Sequence, residues 1–382
     1  MNTMLDQVKS LPGLMDEIFR VVDESARMSL DHELCLSLKR VFVAGCGDSH
    51  HAALGTEMAF ETFSGLPVEP MTSLQMARYA AGFIPQTGPL TNLVFGISVS
   101  GAVARTAEAL RSARQNGAVT VALTATPGSK VASEAEHTYL VQTADFPNPP
   151  GTNTPGVRSY FANQLALLLA SVRIGEVRGH LTTPQADEIR ARIRGLDAAL
   201  EATISSCNAA AQALAGAWAD AGDFVFVGGG PNYATALFSA AKILEASGDP
   251  AIGQDTEEWC HLQYFARQAN TPTFLITAAD RDESRTLEVA VAAKTLGRRV
   301  AVIAPSRAAK LATAASWHLP IADVPEMFSP LVAAIPGALF ASYRSEILGE
   351  PYFRGFTGGR SLEGGGGISR IRTSDMWEQW QS

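Results

Sequence analysis

The sequence predicts an α/β protein of two similar halves, each a doubly wound parallel sheet flanked by helices. Three observations carry this. Short apolar runs alternate with helical patterns along most of the chain. The runs are apolar throughout rather than at every second position, as strands covered on both faces require. And the order strand, small-residue turn, helix recurs in the second half as in the first.

The elements follow in chain order. The first 35 or so residues have apolar positions at helical spacing with acidic residues between them. RVFVAGCGDSHHAALGTEMAFETF is a strand, a Gly-rich turn and a helix, and NLVFGISVSGAVARTAEALRSARQNG repeats that grammar. AVTVALTAT is another strand and HTYLVQ an edge strand. In the second half DFVFVGGGPNYATALFSAAKILEA, PTFLITAADRDESRTLEVAVAAKTLG and RRVAVIAP match the three units in order. Long helical patterns lie between the halves, so the join is helical. The expected division is a helical segment 1–36, a first domain 37–178, a helical linker 179–220, a second domain 221–350 and a tail 351–382.

Composition narrows the function. With 382 residues, 46% hydrophobic and 18% charged, the chain suits two globular domains. A net charge of −8 argues against a general nucleic-acid binder. Cys35, Cys46, Cys207 and Cys260 form no CxxC pair, so neither a zinc ribbon nor a disulfide framework is expected. The N-terminus lacks a signal-peptide pattern. The most apolar stretch, PLVAAIPGALFASY, reads as too short for a membrane span and holds two prolines. A cytoplasmic protein with no membrane partner is the expectation.

Ser and Gly after a parallel strand, at a helix start, can hold an anion through open N–H groups and the positive end of the helix dipole. Two first-half loops qualify, Gly45-Cys46-Gly47-Asp48-Ser49 and Ser98-Val99-Ser100-Gly101. The second-half counterpart of the latter, Thr277-Ala278-Ala279, has lost the serines. Helix capping alone also explains Ser and Gly at such places. A dinucleotide fingerprint is missing, because His50 stands where the third glycine belongs, and no GKS or GKT follows a Gly-rich stretch. Gly364-Gly365-Gly366-Gly367 follows no strand and reads as a hinge or lid.

Glu245 sits on an otherwise mostly apolar helix, either on its outer face or placed for use. His261 follows in TEEWCHLQYFA after Glu257 and Glu258, either an ordinary half-buried histidine or a ring-opening group. A glutamate and a histidine are the pair needed to open a sugar ring and move a proton between adjacent carbons. His50 and His51 are adjacent and point apart on a helix, so no metal is expected.

FVAGCGDSHHAA and FGISVSGAVARTAEAL resemble the two ligand loops of the sugar isomerase (SIS) domain. The tandem arrangement, from about Val41 to Tyr352, resembles the isomerase half of glucosamine-6-phosphate synthase and the fructosamine-type deglycases. The resemblance implies two tandem SIS domains and a phosphosugar held by Ser49, Ser98 and Ser100 with the loop glycines Gly45, Gly47 and Gly101. It also implies a catalytic Glu245, a ring-opening His261 supplied by the neighbouring subunit, and hence a homodimer with a shared site. No cofactor is implied. The typical Ser-Gln-Ser-Gly-Glu-Thr loop is here Ser-Val-Ser-Gly-Ala-Val, so Val99 and Val103 remove two polar groups. Asp48 replaces a small neutral residue, and a carboxylate beside a phosphate is repulsive unless it turns away. The synthases' late lysine is missing; Arg360, Arg370 and Arg372 are offered instead, Arg360 as a substrate contact. The anion is therefore a phosphate by default, or another such as a sugar acid. With the repeat beginning inside the first 45 residues, glutamine-dependent synthesis is not expected. The expected function is an aldose–ketose isomerase or amino-sugar deglycase/deaminase. A non-catalytic sugar-phosphate sensor is the alternative.

Overall fold

The computed structural model describes residues 2–149, 153–361 and 368–374. The first half carries five parallel strands, β1 (Arg40–Gly45), β2 (Val68–Thr72), β3 (Asn92–Ile97), β4 (Val119–Thr124) and β5 (His137–Leu140), in the order β2-β1-β3-β4-β5. The second half has β6 (Phe224–Gly228), β7 (Ala251–Asp255), β8 (Pro272–Ile276), β9 (Arg299–Pro305) and β10 (Trp317–Ile321). Their order, β7-β6-β8-β9-β10, is the same topology in a second parallel sheet. The central strands β1, β3, β4, β6, β8 and β9 are the apolar runs read from the sequence. Three edge strands, β2, β7 and β10, escaped that reading. VEPMT, AIGQD and WHLPI carry polar residues or proline and are partly exposed, so neither a continuous apolar run nor a clean alternation marks them.

Helices fill the spaces between strands. In the first half they are α1 (Thr3–Lys9), α2 (Leu11–Ser29), α3 (His32–Ser37), α4 (Asp48–Ser64), α5 (Ser73–Gln75), α6 (Ala104–Gln115), α7 (Lys130–Glu134) and α8 (Arg158–Val177). Residues 179–220, expected to link the halves, form α9 (Thr183–Arg194) and α10 (Leu196–Ala217). A capping box between Thr182 and Gln185 starts α9. The second half adds α11 (Pro231–Ala246), α12 (Thr256–His261), α13 (Glu283–Leu296), α14 (Ala309–Ala314) and α15 (Ser329–Leu348), and α16 (Ile368–Thr373) lies in the tail.

The two sheets share one core. Helices α4 and α8 cover the inner face of the first sheet, α11 and α15 that of the second, and α4 packs directly on α11. A single apolar cluster runs from Val41 and Phe95 through Phe60, Tyr160 and Leu165 to Phe238, Leu339 and Phe274. Small residues allow the close approach: a Cβ on Gly55 would lie 3.4 Å from that of Ala234. Across the seam the Tyr160 and Phe238 rings stack with centroids 3.9 Å apart. Helix α10 packs along α15, as α2 packs along α8. The stretch read as too short to span a membrane is a helix of 20 residues. Of the described residues, its segment is the one long and apolar enough to cross a membrane, and it is 83% buried in the core.

This seam holds the halves in register. Phe238→Ala removes a ring that touches both halves and is expected to cost about 3–5 kcal/mol, read as a lowered urea midpoint in a single unfolding transition.

Candidate functional site

In a sheet ordered 2-1-3-4-5 the chain reverses its direction of winding between the first and third strands, so a crevice opens beyond their carboxyl ends. Both loops expected to hold an anion lie there. Gly45 ends β1, and a Cβ on it would sit 2.7 Å from the His50 nitrogen, so the first turn of α4 rests directly on the strand end. Gly47 is the N-cap of α4 with φ 55° and ψ −128°, a left-handed conformation that favours glycine, and no side chain caps the helix. Of the N–H groups of that first turn, His51 donates to the Gly47 carbonyl at 2.9 Å, while those of Asp48 and His50 make no backbone bond among the described residues and are open to a ligand. Ser49 stands half-buried on the turn, its N–H donating to the Cys46 carbonyl at 3.2 Å.

Ser98 follows β3 and donates its backbone N–H to Leu123 O at 3.0 Å. Its hydroxyl is buried and has no hydrogen-bond partner among the described residues. An unmade buried hydrogen bond costs about 1–3 kcal/mol, so Ser98 is set to bond an incoming oxygen. Ser100 is exposed and its Oγ accepts the Ala102 N–H at 3.3 Å. The Gly101 N–H closes the turn onto Ser98 O at 3.0 Å.

Beside these loops lies an ion cluster that the sequence did not reveal. The Lys242 side chain, on α11, is fully buried. Its ammonium donates to Asp48 Oδ2 at 2.6 Å, to Glu245 Oε2, and to the Gly156 carbonyl at 3.3 Å. Asp48 therefore does turn away from the anion loop, across the seam to the other half. Burial opposes its charge, but the Lys242 ammonium and His51, whose Nδ1 is 3.7 Å from Asp48 Oδ1, outweigh it and hold the carboxyl below its usual range. Burial also opposes the charge on Lys242, and the two carboxylates overcome it, raising its pKa. Glu245 ends up the other way: burial and the Asp48 charge push its pKa up, against the pull of Lys242 and Arg372. Of two carboxylates sharing one ammonium, Asp48 keeps its charge and Glu245 is poised to take a proton. Next to them His50 is pressed down to about 4 by burial and by His51.

The remaining expected residues lie elsewhere. His261 ends α12, with its side chain 68% exposed and Nε2 3.2 Å from Glu257 Oε1. Glu257 in turn receives Arg285 at 2.7 and 2.9 Å. Within one chain, then, His261 hydrogen-bonds on the outer surface and not with Glu245. Arg360 is exposed on a short turn and makes no side-chain hydrogen bond or ion pair among the described residues. The guanidinium that acts on Glu245 is Arg372, on α16. Arg105, on α6, donates to the Ser374 carbonyl at 2.8 Å, so the tail touches the first half at Ser374. Gly364 to Gly367, read as a hinge, lie outside the described residues.

The sequence signal for Lys242 was present but undervalued: AAKILEA puts a lysine three residues before Glu245, one helical turn away, in an apolar helix.

A model of the SIS domain matches residues 36–172 and again 219–343. The chain belongs to the SIS domain family. The glutamine–fructose-6-phosphate aminotransferase [isomerizing] of Gloeobacter violaceus is 26% identical over 344 residues, covering 88% of this chain and 54% of its own length. The enzyme of the same name from Halobacterium salinarum is 27% identical over 354 residues, 91% of this chain and 57% of its own. This SIS chain thus spans about half the length of the curated relatives it matches. Among solved structures, the C-terminal domain of glucosamine-fructose-6-phosphate aminotransferase from Francisella tularensis has a TM-score of 0.77 at 18% identity, covering 91% of this chain and 96% of that one. The glucosamine-6-phosphate deaminase of Thermotoga maritima has a TM-score of 0.64 at 17% identity, covering 91% and 96%. These likenesses show the fold, two SIS domains in tandem.

Lys242→Met leaves two carboxylates without their cation, which is expected to cost about 3–5 kcal/mol. Both carboxyls then titrate above their unfolded values, so the loss should be largest at pH 8 and shrink as the pH falls towards 5. Urea midpoints at the two pH values check the sign.

Proposed function

We propose that this SIS chain is a cytoplasmic enzyme that binds a phosphorylated sugar at the first-half loops and moves a proton between its C1 and C2. The observation that carries the reading is Glu245, a carboxyl with a raised pKa, tied through Lys242 to Asp48 at the start of the helix that follows the anion loop. The loops supply Ser98 Oγ, Ser49, Ser100 and the open N–H groups of α4 to the anion. That anchoring fixes the sugar's other end against Glu245. Glu245 takes the proton from C2 of the open-chain aldose, and the electron pair forms the C1–C2 double bond of the enediol as O1 takes a proton. The same carboxyl returns its proton to C1 as O2 gives up its own and becomes the ketone oxygen. With nitrogen on the sugar the intermediate is an enolamine, and the same residues serve an amino-sugar deglycase or deaminase. The names of the relatives, with fructose 6-phosphate and glucosamine 6-phosphate in them, favour a phosphosugar of this kind. The step is acid–base throughout and calls for no cofactor.

The shared site follows from His261. It stands exposed in a segment whose Leu262, Tyr264 and Phe265 are also uncovered. A second copy laid on this apolar surface would bury it and carry His261 to the partner's crevice, where it opens the sugar ring. The negative net charge fits a small anion held locally rather than a nucleic-acid partner.

Phosphosugars, amino-sugar phosphates, fructosamine phosphates and sugar acids are to be compared by thermal unfolding and then assayed. One phosphorylated class is expected to raise Tm, and a rise with sugar acids alone would refute the phosphate. Glu245→Gln should cut kcat about 10²–10⁴-fold while that shift persists; full activity in this variant would sink the assignment. Asp48→Asn removes one of the causes that raise Glu245, so the acid limb of the rate profile should move to lower pH. Mixing inactive Glu245→Gln and His261→Ala subunits should restore part of the activity, because some mixed dimers contain one intact site; no recovery would refute the shared site.

A further inference from the structure

The internal duplication allows the two crevices to be compared atom by atom. In the second sheet the corresponding crevice lies between β6 and β8. Gly230 caps α11 with φ 52° and ψ −131°, nearly the conformation of Gly47, and again no side chain caps the helix. Thr277 follows β8 as Ser98 follows β3, and its N–H donates to Ile303 O at 3.1 Å, as that of Ser98 does to Leu123 O at 3.0 Å. The backbone of the first-half crevice is thus repeated, except that Pro231 stands where Asp48 offers an N–H and the Asn232 and Tyr233 N–H groups bond the Gly229 and Gly230 carbonyls at 3.0 and 3.1 Å, which leaves hydroxyls as the donors of this crevice.

The hydroxyls differ in what they bond. Ser98 Oγ has no partner among the described residues, whereas Thr277 Oγ1 donates to Asp282 Oδ1 at 2.5 Å and accepts the Ala279 N–H at 2.8 Å. Asp282 stands where the first half has Val103, five residues after the hydroxyl in each loop. Its second oxygen accepts from Thr286 Oγ1 at 3.4 Å and lies 3.1 Å from where a Cβ on Gly229 would be. The carboxylate therefore fills the space above the glycine turn. Thr256 Oγ1 borders the same space at 3.4 Å from that point; it is 4% exposed and has no partner among the described residues. A buried hydroxyl facing this space without a partner marks a place shaped for one more oxygen than Asp282 supplies.

We infer that the second crevice is a tetrahedral-oxyanion site occupied by the chain's own Asp282 carboxylate, so that each chain binds one external anion and not two. Asp282 plays the ligand's part: it bonds the hydroxyl at the strand end and sits against Gly229 beside the unpartnered Thr256 hydroxyl. The loop does not depend on Asp282 alone for its shape. Arg307 holds it from the other side, donating to Ala278 O at 2.9 Å and Ala279 O at 2.6 Å, and Arg281 pairs with Glu326 at 3.2 Å. Arg307 also pairs with Asp323 at 3.0 Å.

The test is the number of inorganic phosphate ions bound per chain, by equilibrium dialysis at saturation. Asp282→Ala is expected to bind one more than the parent protein, and Asp282→Ser, which places a short polar side chain at the N-cap position of α13, likewise; the second variant guards against loss of folding in the first. Thr277→Val in the Asp282→Ala background should remove the added ion. Asp282→Asn, which keeps the plug's shape, should leave the count at the parental value. Folded Asp282→Ala and Asp282→Ser proteins with the parental count would overturn the inference. The parent's own count tests the first-half loops separately, so a parent that binds none and a variant that binds one would refute the first-half anion site and uphold the plug.

Discussion

The ammonium of Lys242 is the interaction on which the site depends. A lysine charge buried without compensation costs several kcal/mol, and here it is met by two carboxylates and a carbonyl. Because one carboxylate begins α4 and the other lies on α11, the compensation works only if the two halves sit in one relative position. The stacked Tyr160 and Phe238 rings and the close contact of Gly55 with Ala234 enforce that position by packing. Packing and charge thus fix the same geometry, and Glu245 is tied through Lys242 to Asp48 at the start of α4 as a consequence.

The duplicated fold has been put to two uses. Both halves keep the sheet order, the glycine N-cap and the hydrogen bond that ends the third strand. The first half leaves a buried hydroxyl unpaired and a helix start uncapped, which is unfavourable unless a ligand completes them. The second half pairs its hydroxyl with Asp282 and contributes instead Lys242 and Glu245, from the helix that starts at its own glycine turn. One crevice keeps an unpartnered serine hydroxyl at its strand end, while the other bonds its strand-end hydroxyl to Asp282 and supplies side chains to its neighbour.

Two segments beyond the loops bear on the proposed site. The Arg372 charge on α16 acts on Glu245, and Arg105 on the first half holds the tail at Ser374. His261 faces outward with an apolar surface around it, which places its use, in the proposed reaction, at a second subunit.

What the sequence by itself determined is the set of features that depend on neighbours along the chain. Central strands buried on both faces must be apolar throughout, and a strand that meets a helix within a few residues needs glycine there, so β1, β3, β6, β8 and their loops were legible, with Ser98 and Glu245 among the candidates. The edge strands were not, because partial exposure removes the apolar run that betrays a strand. Nor was the partnership of Asp48 with Lys242, 194 residues apart, since neither residue type nor local spacing says which helices touch. Asp48 read as a carboxylate in an anion's way, and Arg360 was favoured in the tail over Arg372. Only the tertiary structure decided these points, because the charge a buried group keeps is set by what packs against it, and that is settled when α4 and α11 meet.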